Sequence, residues 1–200
     1  MIRWVFVGLV SWAALASAES QNTIFVHLPD TDGIRSPLLF QAKGVTASIL
    51  ASAGVRVRWV SGNPVQDECS ADASRITIAV RFSPTAPAES SRRALAAARP
   101  FATSGAGIEV FLDRLRPMME TLSRPEVLIG HVLAHEIGHK LLRTDSHSPT
   151  GLMKAHWSNV ETEQMTFQPM TFTPADAAQI RENLAGGCRL LAAAAGPIAN

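Results

Sequence analysis

The sequence predicts an α/β or α+β sandwich in one domain: a β-sheet, two long helices, and a further helix near the C-terminus. Three observations carry that prediction. Four short segments alternate apolar and polar residues, and two longer ones sustain a helix between clear start and stop signals. Their order is strand, helix, three strands, long helix, loops and a last helix. Two hundred residues, 46% hydrophobic and 18% charged, suffice for one sizeable core and are too apolar for a disordered chain.

Thr23 to Leu28 is the first strand, because Ile24, Val26 and Leu28 fall on one face. The run Pro-Asp-Thr-Asp-Gly at 29–33 reads as a turn. Ser36 and Pro37 read as the N-cap and first residue of a helix that Gly54 stops, so a helix fills most of 37–53. Val55 to Trp59 is the second strand, with Arg56 and Arg58 on its wet face. In the third, Arg75 to Phe82, the residues Ile76, Ile78, Val80 and Phe82 point one way. Residues 83–106 mix Pro, Ala, Ser and Gly and read as surface loop, with a helical turn near Arg92–Ala98. Ile108 to Leu112 is the fourth strand, and Glu109 and Asp113 share one face there. If that strand is an exposed edge, an extended peptide can pair with it. Ser123 and Glu126 form the pattern of a capping box that opens a long helix to Leu142, weakened slightly by Gly130 and Gly138. Thr173-Pro-Ala-Asp176 caps a closing helix over 177–184.

Charge and the N-terminus bear on compartment and partners. With 18 Lys+Arg against 17 Asp+Glu the chain is near neutral, which excludes a strong field toward nucleic acid or anionic lipid. Arg3, the apolar run Trp4 to Leu15 and the small residues Ala16-Ser17-Ala18 read as a signal peptide over 1–18. Residues 19–200 are then one exported domain, secreted or periplasmic, expected to be a monomer with no membrane-spanning segment. Cys69 and Cys188 are too few for a disulfide scaffold, but in an oxidising compartment they are expected to pair.

The long helix carries the chemistry. Within it stands His135-Glu136-Ile137-Gly138-His139. Residues i and i+4 lie one turn apart on one face, so both imidazoles can reach one Zn²⁺ at about 2.0–2.1 Å. Glu136 is off that face, too displaced to bind the metal but placed to act as general base on a zinc-bound water. Chance gives this spacing in roughly one chain of such composition in a hundred. The surrounding Val132, Leu133, Ala134, Ile137 and Leu141 bury the helix, and buried histidines need partners. His131, one turn earlier, reads as a core or supporting histidine, and His27 as structural.

Downstream, Asp145, His147-Ser148 and Gly151-Leu152-Met153 complete a pattern that resembles the metzincin zinc peptidases. Their signature is H-E-x-x-H-x-x-G-x-x-H followed by a methionine turn. The resemblance implies an α+β fold with a metzincin-like mixed β-sheet, the zinc helix behind an active-site cleft, a closing helix, and zinc-dependent hydrolysis of a protein or peptide substrate. It implies His135 and His139 as ligands, Glu136 as the catalytic base, and Met153 as a hydrophobic base under the metal. His156 and Trp157 fall where the family builds its substrate pocket. The family glycine falls on Leu142 and the third-ligand position on Asp145. Asp145, His147 and a downstream Glu161 or Glu163 all remain open; the softer imidazole and a wider loop favour His147. A metal-stabilised binding module and a zinc hydrolase of a non-peptide substrate are the competing readings.

Overall fold

Alternation of apolar side chains builds the sheet. Ile24, Val26, Ile78, Val80, Ile108 and Val110 are all buried, and every second position puts them on one face. The computed structural model describes residues 22–28, 33–62, 76–100 and 107–186. The segment 1–18, the turn residues 29–32, Cys69 and Cys188 lie outside the described residues.

The strands are β1 (Thr23–His27), β2 (Arg56–Val60), β3 (Ile76–Ser83), β4 (Ala96–Ala98) and β5 (Ile108–Phe111). Among the described residues there are five helices: α1 (Ser36–Ser52), α2 (Leu112–Thr121), α3 (Pro125–Leu142), α4 (Asn159–Gln164) and α5 (Pro174–Ala185). The fold is α+β, and its sheet has the order β2-β1-β3-β5-β4. β1 runs parallel to β2 and β3, and β3 parallel to β5. Only β4 is antiparallel, pairing Ala96 with Val110 and Ala98 with Ile108 at one edge.

The two long helices meet where side chains are smallest. A Cβ on Gly130 of α3 would lie 2.6 Å from Val45 and 3.0 Å from the Ala42 carbonyl of α1. At the same crossing Thr46 is fully buried, and its hydroxyl donates to the carbonyls of Ala42 (2.9 Å) and Gly130 (3.1 Å). A buried hydroxyl so satisfied adds no desolvation penalty. Gly130, and Gly138 further along, are therefore sites of close approach rather than mere weak points of the helix.

Several local expectations change, the first being Ser36, which lies inside α1 while Arg35 takes the N-cap position. Residues 96–98 are strand, not helical turn, because pairing with β5 overrides the helix preference of three alanines. β5 is consequently internal, and the exposed edge beside the long helix is β4. Glu109 of β5 is held by Arg81 at 2.8 Å and by Ser83, so it does not present an open peptide-binding face. The Ser123–Glu126 capping box does not form: α3 starts after Arg124, one residue too late for Ser123, and Glu126 pairs with Arg124 instead. The short helices α2 and α4 were not anticipated; α2 buries Leu112 and Leu115 despite an internal Pro117. The capping box at Thr173 and Asp176 does form and opens α5.

Candidate metal centre

Fourteen residues of α3 are buried, including His131, His135, Glu136 and His139. The helix ends at Leu142, where Arg143 takes the left-handed conformation (φ 56°) and reverses the chain. The reversal brings Thr144 back beneath the helix, and its carbonyl lies 2.8 Å from His139 Nδ1. Further on, Gly151 adopts φ +73°, and the carbonyl of Leu152 lies 2.8 Å from His135 Nδ1. Met153 is fully buried under α3; a Cβ on Gly138 would lie 2.6 Å from its sulfur. Ser148 ties the loop down between these points, its N–H donating to Met153 O (2.8 Å) and its hydroxyl to Asp176 Oδ1 (2.8 Å).

These contacts fix the histidine tautomers. A carbonyl can only accept, so Nδ1 of both His135 and His139 carries the hydrogen, and each Nε2 is left with a bare lone pair. The two Nε2 atoms lie 3.0 Å apart. Lone pairs that close repel unless a cation sits between them, and tetrahedral metal–nitrogen bonds of about 2.0–2.1 Å place two donors roughly 3.3 Å apart. His147 reaches the same point from the loop, its ring stacked on His135 (5.4 Å, 28°) and edge-on to His139 (4.9 Å, 87°). One ligand atom from each of the three histidines lies within 4.8 Å of the others. Three imidazoles fit a divalent metal with a fourth position left open.

Electrostatics favour metal over proton. Burial pushes His135 down to about 4, with like-charge repulsion from His139 and His147 adding to it. Burial also lowers His139, and it lowers His147 together with repulsion from His156; Asp145 pulls both back up. Neutral imidazoles are the metal-binding form. Glu136 is buried beside this cluster, and burial pushes its carboxyl up to about 8, opposed by a backbone hydrogen bond from Ala98.

The remaining candidates sort by contact. His131 is excluded as a ligand: both its nitrogens are engaged, Nδ1 with Val127 O (2.7 Å) and Nε2 as acceptor for the Met170 N–H (3.0 Å). Asp145 is exposed, outside the three-histidine group, but lines the same cleft. Glu161 is held by Lys154 at 2.7 Å and caps α4 with Ser158, so it is turned to structure rather than to the metal position. His156 and Trp157 line the cleft, and Trp157 packs edge-on against His135 at 5.5 Å. Sequence reasoning missed the backbone partners Thr144, Leu152 and Ala98, which act through groups every residue type carries.

The cluster opens into a cleft of ≈ 840 Å³ between β4, α3 and the loop 154–157. No helix among the described residues is long and apolar enough to cross a membrane. No family model matches this chain, and no curated protein does either.

Proposed function

We propose that the chain is an exported zinc-dependent endopeptidase of metzincin type, and the observation that carries this is the pair of bare Nε2 lone pairs 3.0 Å apart with Glu136 beside them. A structural metal site has no use for a buried carboxylate at its flank and normally closes its fourth position. Support also comes from the export signal read at 1–18 and from Met153 packed beneath the helix.

His135, His139 and His147 would hold the ion. A bound Zn²⁺ supplies Lewis acidity at the open end of the cleft and lowers the pKa of water there toward ~7. The charge of a bound cation would favour the ionised form of Glu136 against the upward push of burial, and the carboxylate could then take a proton from the attacking water and pass it to the leaving amine. Ala98, hydrogen-bonded to the Glu136 carboxyl, keeps that group aimed into the cleft. The Leu95 carbonyl and the Arg99 N–H are used against β5's side of the sheet, so the backbone groups of Ala96 and Ala98 turn outward along the cleft. An extended peptide can add to that edge as a further strand, which presents its amide bonds in a line past Glu136.

The test is metal analysis of the purified protein beside cleavage of an unfolded protein substrate, with chelator and with zinc restored. Zinc near one per chain and chelator-sensitive cleavage are expected. A zinc-loaded protein that cuts no peptide overturns the peptidase reading and leaves the metal-stabilised binding module and the zinc hydrolase of a non-peptide substrate.

A further inference from the structure

The cleft is electrically lopsided although the chain as a whole carries only +1. Its lining includes the cationic side chains Arg92, Arg93, Arg114 and Lys154, against the carboxylates of Glu136 and Asp145. Lys154 is balanced by Glu161 at 2.7 Å. Glu136 is buried at the metal cluster, and Asp145 lies beside His139 and His147. The excess positive charge is thus gathered on the wall that leads into β4.

That wall is built rather than incidental. Arg114 projects from α2 and donates to the backbone carbonyls of Ser91 and of Ala94 (2.9 Å), which pins the loop bearing Arg92 and Arg93. Its guanidinium also lies over the Phe111 ring at 5.4 Å. Arg92 and Arg93 are exposed, and among the described residues no carboxylate forms an ion pair with them or with Arg114. The nearby acids Glu89 and Asp113 do not line the cleft. Arg92 and Arg93 are consecutive, both line the cleft, and a bound anion would give their exposed guanidinium groups a partner. Arg presents a planar fork that matches a carboxylate with two parallel hydrogen bonds.

We infer that this arginine wall selects peptides with acidic side chains clustered on one flank of the segment that lies in the cleft. The inference rests on the peptidase reading for what then happens to the peptide, but recognition of the charge does not require cleavage. A peptide running along β4 has one flank near Glu136 and Ala98 and the other beyond Ala96, where Arg92 and Arg93 stand.

The experiment measures binding first. Zinc-loaded Glu136→Gln protein is titrated, by fluorescence anisotropy, into labelled peptides that differ only in three Glu, three Gln or three Lys residues placed on either flank. At low salt one of the two Glu peptides should bind about tenfold or more tightly than its Gln counterpart, with the Lys peptides weakest, and roughly 0.5 M salt should erase most of the difference. Arg92→Glu combined with Arg93→Glu, with zinc content and circular dichroism unchanged, should abolish or invert the preference. Equal affinity for all peptides, or a preference that survives this charge reversal, overturns the inference. Cleavage by the unmodified protein is then followed on the same peptides. Cleavage without charge preference defeats only the inference, whereas charge-selective binding without cleavage of any peptide defeats only the peptidase reading.

Discussion

The three-histidine cluster joins two unlike regions. His135 and His139 stand on a helix buried on nearly every side, whereas His147 is exposed on a loop with no regular structure. The helix supplies spacing, since one turn of α3 sets the separation of the two rings. The loop supplies orientation, since Thr144 and Leu152 offer the carbonyls that fix which nitrogen of each helical histidine is bare. Neither region makes a site alone. A rigid element carries two of the histidines and a tethered loop aims them, the arrangement by which an outer layer would tune a bound metal without touching it.

That division can be broken or sharpened by substitution. The largest effect is expected in the helix half: Glu136→Ala should leave zinc content unchanged and reduce turnover by about 10²–10⁴-fold, read as kcat/KM on a peptide substrate. Unchanged turnover would mean that the helix supplies ligands only.

In the loop half, His147→Ala should weaken zinc binding by more than the roughly 10–100-fold typical of groups that only orient ligands. Asp145→Ala should fall within or below that range. Competition titration with a chromophoric chelator separates the two, and the opposite ranking would move the third ligand to Asp145.

A smaller effect isolates the helix's own packing. Gly130→Ala forces a Cβ against Val45 and the Ala42 backbone and should cost about 1–3 kcal/mol in chemical denaturation. Gly44→Ala, on the open side of α1 with nothing within 4 Å, should instead gain about 0.5–1 kcal/mol. Equal signs for the two would show that the helix crossing is looser than its geometry.

The smallest concerns the far end of the loop. Hydrogen bonds from the Lys154 side chain and from the Ser158 backbone and hydroxyl lower Glu161 from 4.5 to about 2. A depressed carboxyl stabilises the fold above its unfolded value and loses that contribution as pH falls through the folded one. Glu161→Gln should therefore lower the melting temperature slightly at pH 7, and the gap should close between pH 4.5 and about 2. A gap independent of pH would assign the loss to the helix cap rather than to charge.

The same contrast explains what could be read in advance. The spacing of His135 and His139 is a property of any α-helix, so the sequence displays it directly. Ile24 and Val26, or Ile76 and Ile78, likewise declare a strand by alternation alone. β4 was hidden because Ala96–Ala98 has no intrinsic strand signal and exists only by pairing with β5. The opening of α3 was misplaced because Ser123 and Glu126 have the right spacing, yet the chain turns helical only at Pro125. His147 could be favoured but not fixed, since its place depends on a left-handed Arg143 and on the Ser148 tether to Asp176. Both are set by tertiary structure.

An unsaturated sheet edge has a second consequence, for solubility. The outward backbone groups of Ala96 and the Ala98 carbonyl that suit a visiting peptide would suit a second copy of the chain equally well, and stacked edges are how folded proteins begin to aggregate. Here the edge is three residues long, preceded by Arg92 and Arg93 and followed by Arg99. At the opposite edge of the sheet β2 carries exposed Arg56 and Arg58. Like charges brought edge to edge repel, so Arg92 and Arg93 at one border and Arg58 at the other disfavour self-pairing.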